Sequence, residues 1–253
     1  EARIVGGTAA PTPEATEVHG LLARMRESEV RAVVLEVSAQ ALTRNRVDGL
    51  VFDVVGFLNL SHDHLDDYAD METYFAAKLP LFEPDRARRG VVSLDTEWGQ
   101  RVVDASRIPI TTVSSTPGVD AAWTVTILQE RAEYTEFELT PPEGQSITTR
   151  VPVIGRHMAA NAGLAIAMLV EAGFELEAIA HALDQDGGID AFIPGRIERV
   201  SGPSGPAVYV DYGHSPDAFL TTMDAVRRFT TGRLIMVFGA DGDRDASKRL
   251  DMG

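Results

Sequence analysis

At 253 residues, 44% of them hydrophobic and 24% charged, the chain has the composition of a globular protein and enough length for one large domain or two moderate ones. Its 23 basic and 38 acidic residues leave a net charge of −15, which argues against nucleic acid or an anionic membrane as partner. It has no cysteine, which excludes disulfides and thiolate metal sites, so carboxylate, imidazole or a modified side chain must hold any metal.

The first predicted element is a helix with Val18, Leu21, Leu22 and Met25 on one face, capped by Thr12 with Pro13 at its first position. Ala32 to Val37 reads as an apolar strand buried on both faces. Near its end stands Glu36, a carboxylate that is costly there unless it is paired or ligates a cation. Residues 51–58 give a second such strand, 71–79 a helix ended by Pro80, and 90–94 a third strand. Alternating strand and helix predicts βαβ units and a parallel sheet. After Thr112 the period changes to two: Trp123, Val125 and Ile127, then Phe137 and Leu139, then 147–154 read as antiparallel strands beside the parallel core. Asn161 opens an Ala-rich helix to Val170 that Gly173 closes, and a second helix covers 176–183. Pro194-Gly195-Arg196 reads as a hinge, followed by a strand at 207–211, a helix at 215–229 and a strand at 234–238. The last of these runs into Gly239-Ala240-Asp241-Gly242-Asp243-Arg244-Asp245.

Chemistry concentrates in Asn59-Leu60-Ser61-His62-Asp63-His64-Leu65-Asp66-Asp67, at the C-terminal end of a predicted strand where α/β sheets place their sites. The helix that follows carries Lys78, one of two lysines among 23 basic residues, the other being Lys248. An ε-amine can lose its proton, attack an electrophile or become a carbamate, and a guanidinium does none of these readily. A solvated helix lysine explains the residue equally well at this point. Asp211-Tyr212-Gly213-His214-Ser215-Pro216-Asp217 joins a strand to a helix and suits an anion, or is an ordinary cap. His19 and His181 have no polar neighbours in sequence that suggest a site and read as structural.

These segments occur in order with Glu36-Val37-Ser38-Ala39-Gln40-Ala41-Leu42, Arg46-Val47-Asp48-Gly49, Ala76-Ala77-Lys78, Pro194-Gly195-Arg196-Ile197-Glu198-Arg199 and Lys248-Arg249. Together they resemble the Mur ligase family over essentially the whole chain, in particular its members that add the third amino acid to the peptidoglycan precursor. The resemblance implies an α/β fold: a parallel-sheet, P-loop-type central ATPase domain with added antiparallel strands at 1–193, then the start of a Rossmann-like C-terminal domain at 194–253. It also implies an ATP-dependent amide ligase acting on UDP-N-acetylmuramoyl-L-Ala-D-Glu and a diamino acid, with Mg²⁺ as cofactor, a cytoplasmic location and a monomeric state. Lys78 corresponds to the lysine that becomes carbamylated, with Glu36 and His64 beside it around the metal. Thr12, Ser38, Arg44, Arg46 and Arg244 correspond to substrate-binding positions, and Asn161, Arg196, Asp211 and His214 to ATP-binding ones. The chain departs from the family pattern at Ser38-Ala39-Gln40, His157-Met158 and Gly239 to Asp245. The phosphate-cradling G-x-x-x-x-G-K-[ST] pattern, the uridine-binding domain and the later Asp-Asn-Pro-Arg motif are not among these residues, so the chain reads as a fragment, inactive by itself. A folylpolyglutamate- or cyanophycin-synthetase type of ligase and a non-catalytic homologue are the alternatives.

Overall fold

The computed structural model describes residues 12–62, 67–202, 204–239, 250 and 252. Six strands form one sheet in simple sequence order: β1 (Phe52–Phe57), β2 (Ala87–Ser93), β3 (Ile110–Ser114), β4 (Trp123–Glu130), β5 (Thr135–Thr140) and β6 (Ile147–Val151). The pairs from β1 to β4 are parallel and those from β4 to β6 antiparallel; the change of period predicts the antiparallel pairs, whereas β3 and its parallel pairing with β4 are not among the predicted elements. β3 and β4 share two residue pairs, Val113 with Trp123 and Ser114 with Thr124, so β4 starts where β3 stops and runs on beyond it.

Strand alternation sends neighbouring side chains into different layers. In β2, Val92 joins the layer with Val55, Phe57, Phe75, Phe82 and Val102, whereas Val91 joins Val113, Trp123, Val125, Phe137 and Leu164 on the other face. The first layer lies under α2 (Ala39–Thr43), α3 (Met71–Lys78) and α4 (Glu97–Ala105); the second lies under α5 (Arg156–Glu171) and α6 (Leu176–Gln185). α1 (Ala15–Glu27) precedes them, and Pro80 stands within the short 3₁₀ turn at 79–82 that follows α3. α4 approaches β2 so closely that a Cβ on Gly99 would overlap the Ser93 carbonyl oxygen.

A smaller unit follows, made of β7 (Glu198–Arg199), β8 (Tyr209–Val210) and α7 (Pro216–Arg227). It meets the first unit through a cluster of Ile154, Ile197, Ala225 and Val226, against which Tyr209, Phe229 and Leu234 pack.

Several expectations are corrected. Residues 32–37 form no strand: Val34 is 96% exposed and the segment has no ladder partner among the described residues. Residues 234–238 likewise lie unpaired, with Val237 92% exposed. Apolar composition fits such segments for burial, but a strand exists through its neighbour's hydrogen bonds. The first helix is capped not by Thr12 but by Glu14, in a reciprocal box with Glu17. α5 begins at Arg156, five residues before Asn161, because Gly155 at φ 114° turns the chain into it from the buried Ile154. The third strand begins earlier than 90, at Ala87, and the strand predicted over 147–154 stops at Val151.

Candidate active site

The residues before α1 and the segment 36–46 gather the first group of expected residues. The Thr12 hydroxyl, fully buried, donates to the Glu36 carbonyl (2.8 Å) and accepts from the Ser38 N–H (3.1 Å). Arg46 Nη1 donates to the Thr12 carbonyl (3.0 Å), and its Nη2 pairs with the Glu14 carboxylate. Thr12, Glu36, Ser38 and Arg46, spread over 35 positions of sequence, are therefore one hydrogen-bonded assembly. Ser38 also caps α2 by accepting from the Ala41 N–H (3.1 Å). That helix presents Gln40 and Arg44 to Asp67: Gln40 donates to it and Arg44 Nη2 lies 3.6 Å from its Oδ1.

Lys78 ends α3, whose start is capped by the Asp70 carboxylate accepting from the Thr73 N–H (2.7 Å). Its Nζ lies 4.8 Å from the centre of the Tyr74 ring, one helical turn back, and Tyr74 stacks on Tyr68 with ring centres 5.0 Å apart. Burial pushes the Lys78 amine below its ordinary value, and the nearby Glu36 carboxylate opposes that shift. Glu36 and Lys78 are thus within electrostatic reach of each other. His64 and Arg244 lie outside the described residues, among which no three His, Asp or Glu side chains group as a metal site. The donor chemistry present still suits a hard divalent cation: a carboxylate sits beside an amine that burial biases toward the neutral form, the form that takes up CO₂ to give an anionic oxygen ligand.

A second group assembles where the two units meet. Asp211 Oδ2 accepts from the Ile197 N–H (2.9 Å), while its Oδ1 accepts from the Gly213 N–H (2.8 Å) and the Thr222 hydroxyl (3.2 Å), which fixes the 195–213 loops to α7. The Arg196 guanidinium lies 5.5 Å from the centre of the Tyr212 ring, and the His214 ring meets Tyr212 edge-on. Ser215 caps α7, accepting from the Ala218 N–H (3.3 Å), so both the cap and the expected anion-handling stretch occupy this place. Asn161 stands on α5. On the same helix, burial pushes the His157 imidazole down, Asp211 opposes this and Arg196 adds to it, so His157 links Asn161's helix to Arg196 and Asp211.

Two participants were not singled out from sequence. Tyr74 could have been found from its i, i+4 spacing to Lys78. Glu130, a β4 residue that pairs with Arg156 and Arg228, carries no local signal.

A family model described as Mur ligase middle domain matches residues 2–169, and one described as Mur ligase, glutamate ligase domain matches residues 195–253. The chain is 64% identical over 242 residues to a UDP-N-acetylmuramyl-tripeptide synthetase of Leifsonia xyli subsp. xyli, covering 96% of this chain and 47% of that one. It is 41% identical to a UDP-N-acetylmuramoyl-L-alanyl-D-glutamate–2,6-diaminopimelate ligase of Streptomyces avermitilis, with the same coverage. A solved structure of a protein with that second name superposes with a TM-score of 0.72 at 26% identity, covering 95% of this chain and 49% of the other. A MurF crystal structure from Acinetobacter baumannii shares the fold at 21% identity, with a TM-score of 0.59 over 69% of this chain and 37% of that one. The chain spans about half the length of the curated relatives it matches.

Proposed function

Since the chain belongs to the Mur ligase family, we propose that the protein containing it is an ATP-dependent ligase of peptidoglycan precursor synthesis. The reaction adds a diamino acid, such as lysine or diaminopimelate, to UDP-N-acetylmuramoyl-L-Ala-D-Glu in the cytoplasm, and the enzyme acts as a monomer. Residues 1–193 are its ATP-binding domain and 194–253 begin its C-terminal domain. The observation that carries the reading is the half-buried Lys78 amine within electrostatic reach of the Glu36 carboxylate.

In this reading the substrate's free carboxylate attacks the γ-phosphorus of ATP, releasing ADP and leaving an acyl phosphate. The amino acid's amine then attacks the acyl carbon, phosphate departs, and the amide remains. Magnesium, when bound, supplies Lewis-acid stabilisation of the phosphate charge. Glu36, His64 and the carbamate formed when neutral Lys78 adds CO₂ and releases a proton would hold it. Ser38 and Arg44, with Arg244, contact the nucleotide-sugar dipeptide and the incoming amino acid. Thr12 and Arg46, both buried, support the same substrate surface through the hydrogen bonds that tie Thr12 to Glu36 and Ser38. Asn161, Arg196, Asp211 and His214 hold ATP.

The test is Lys78→Ala in the full-length enzyme. Amide formation should fall at least about a hundredfold, since charge stabilisation at such a centre is worth several kcal/mol. Added acetate or formate should restore part of it. Undiminished turnover in the variant would overturn the assignment, and a substrate panel separates the tripeptide-forming reaction from folate-type or cyanophycin-type ligation.

A further inference from the structure

The junction of the two units holds a carboxylate that the reaction does not use. Glu130 is the last residue of β4, and its side chain is 11% exposed. Its Oε2 accepts from Arg228 Nη1 at 2.7 Å and from Arg156 Nε at 3.2 Å. Arg156 is the first residue of α5 and Arg228 the C-cap of α7, so one oxygen joins three elements, two in the first unit and one in the second. The other carboxylate oxygen, Oε1, is buried with no partner among the described residues, where the two guanidinium groups are what hold the buried charge. Arg228 at a helix C-terminus is favoured by the helix dipole, whereas Arg156 at a helix N-terminus is not, and Glu130 offsets that repulsion.

The contact lies beside the remaining links between the units. Ile154, two residues before α5, packs with Ala225 and Val226 of α7, and His157 couples to Arg196 and Asp211. Asn161 stands five residues along α5 from Arg156, about 7.5 Å of helix axis. We propose that Glu130 is a positioning residue that clamps the smaller unit to the first one, fixing the loops that carry Arg196 and Asp211 relative to α5. Apolar contacts in the cluster around Ile154 permit sliding, whereas a carboxylate shared by two guanidinium groups selects one placement.

The clamp is tested in the full-length protein with spin labels at Gln145 and Thr221, both exposed and one in each unit; these 253 residues contain no native cysteine. The native protein should give one narrow distance population. Arg228→Met and Glu130→Gln should broaden it and add a longer-distance population, Arg228→Lys should partly restore it, and Arg156→Met, within the first unit, should leave it narrow. Because Arg228 is half exposed, its variant keeps the test available should Glu130→Gln fail to fold. An unchanged distribution in Arg228→Met would overturn the clamp, as would equal broadening in Arg156→Met. A second readout rests on the ligase reading: Arg228→Met should raise the KM for nucleotide about tenfold and leave the KM for the dipeptide precursor unchanged. The distance measurement needs no substrate, so a failed clamp and a failed ligase assignment give different results.

Discussion

Asp95 stands where β2 hands over to α4 and takes most of the free donors at the end of β3. Its Oδ1 accepts from the Ser114 hydroxyl (2.7 Å), the Ser115 N–H (2.8 Å) and both donors of Thr116 (3.1 Å each), and its Oδ2 accepts from the Ser115 hydroxyl (2.6 Å). Burial alone would raise this carboxyl; the serine hydroxyls, the Ser115 N–H and the Thr116 hydroxyl hold it below its ordinary value of 3.8. Because the unfolded chain takes up the proton first, this carboxylate stabilises the fold above that value, and the contribution is lost as pH falls below it. Asp95→Asn should cost about 1–3 kcal/mol in urea unfolding at neutral pH and flatten the acid side of the stability profile. An unchanged acid limb would show that the bonds carry no such energy. Residue-level placement was partly legible: the motifs mark Glu36, Ser38, Arg46 and Lys78, but nothing in sequence shows that a buried Thr12 hydroxyl bridges Glu36 and Ser38. That bridge joins positions 24 and 26 residues apart, a separation at which local pattern carries no information.

At the scale of elements, α4 shows why some of the fold escaped a reading from sequence. Glu97–Ala105 carries a glycine as its third residue, which lowers helix propensity. The glycine is there because the helix crosses the end of β2 with no room for a side chain, a tertiary reason. Gly99→Ala should therefore reverse the usual propensity gain and destabilise the protein by about 1–3 kcal/mol, measured by thermal unfolding. Stabilisation would mean that α4 can move away freely. α4 also fastens α3: Arg101 Nη1 donates to Glu72 Oε1 (2.9 Å), and its guanidinium lies 4.6 Å from the Phe75 ring centre and 4.5 Å from that of Trp98. Arg101→Ala should cost less than Gly99→Ala in the same measurement, because the ion pair is open to solvent. β1, β2 and the antiparallel strands were legible because their apolar periods differ, whereas β3, with no apolar run of its own, was not.

Across the whole molecule, composition and alternation gave the layered α/β plan, while the two segments at 32–37 and 234–238 mark its limit. A sequence reports that Val33, Val34, Ile235 and Val237 are fit for burial, and the structure leaves them uncovered or partly so. Backbone amides there should exchange within seconds to minutes in the 253-residue chain, and far more slowly in the full-length protein if further chain pairs with them, as hydrogen-exchange mass spectrometry can record. Equal protection in both would show that these segments never join a ladder.

The stagger between β3 and β4 gives the molecule a cantilever. Rooted by two residue pairs at Val113 and Ser114, β4 projects through residues 125–130, roughly 20 Å of strand, stiffened along its length by β5 and β6. Its far tip is Glu130, which Arg156 ties to α5 and Arg228 ties to α7. The contact with the smaller unit is therefore carried by the stiffness of a hydrogen-bonded sheet and not by a loop.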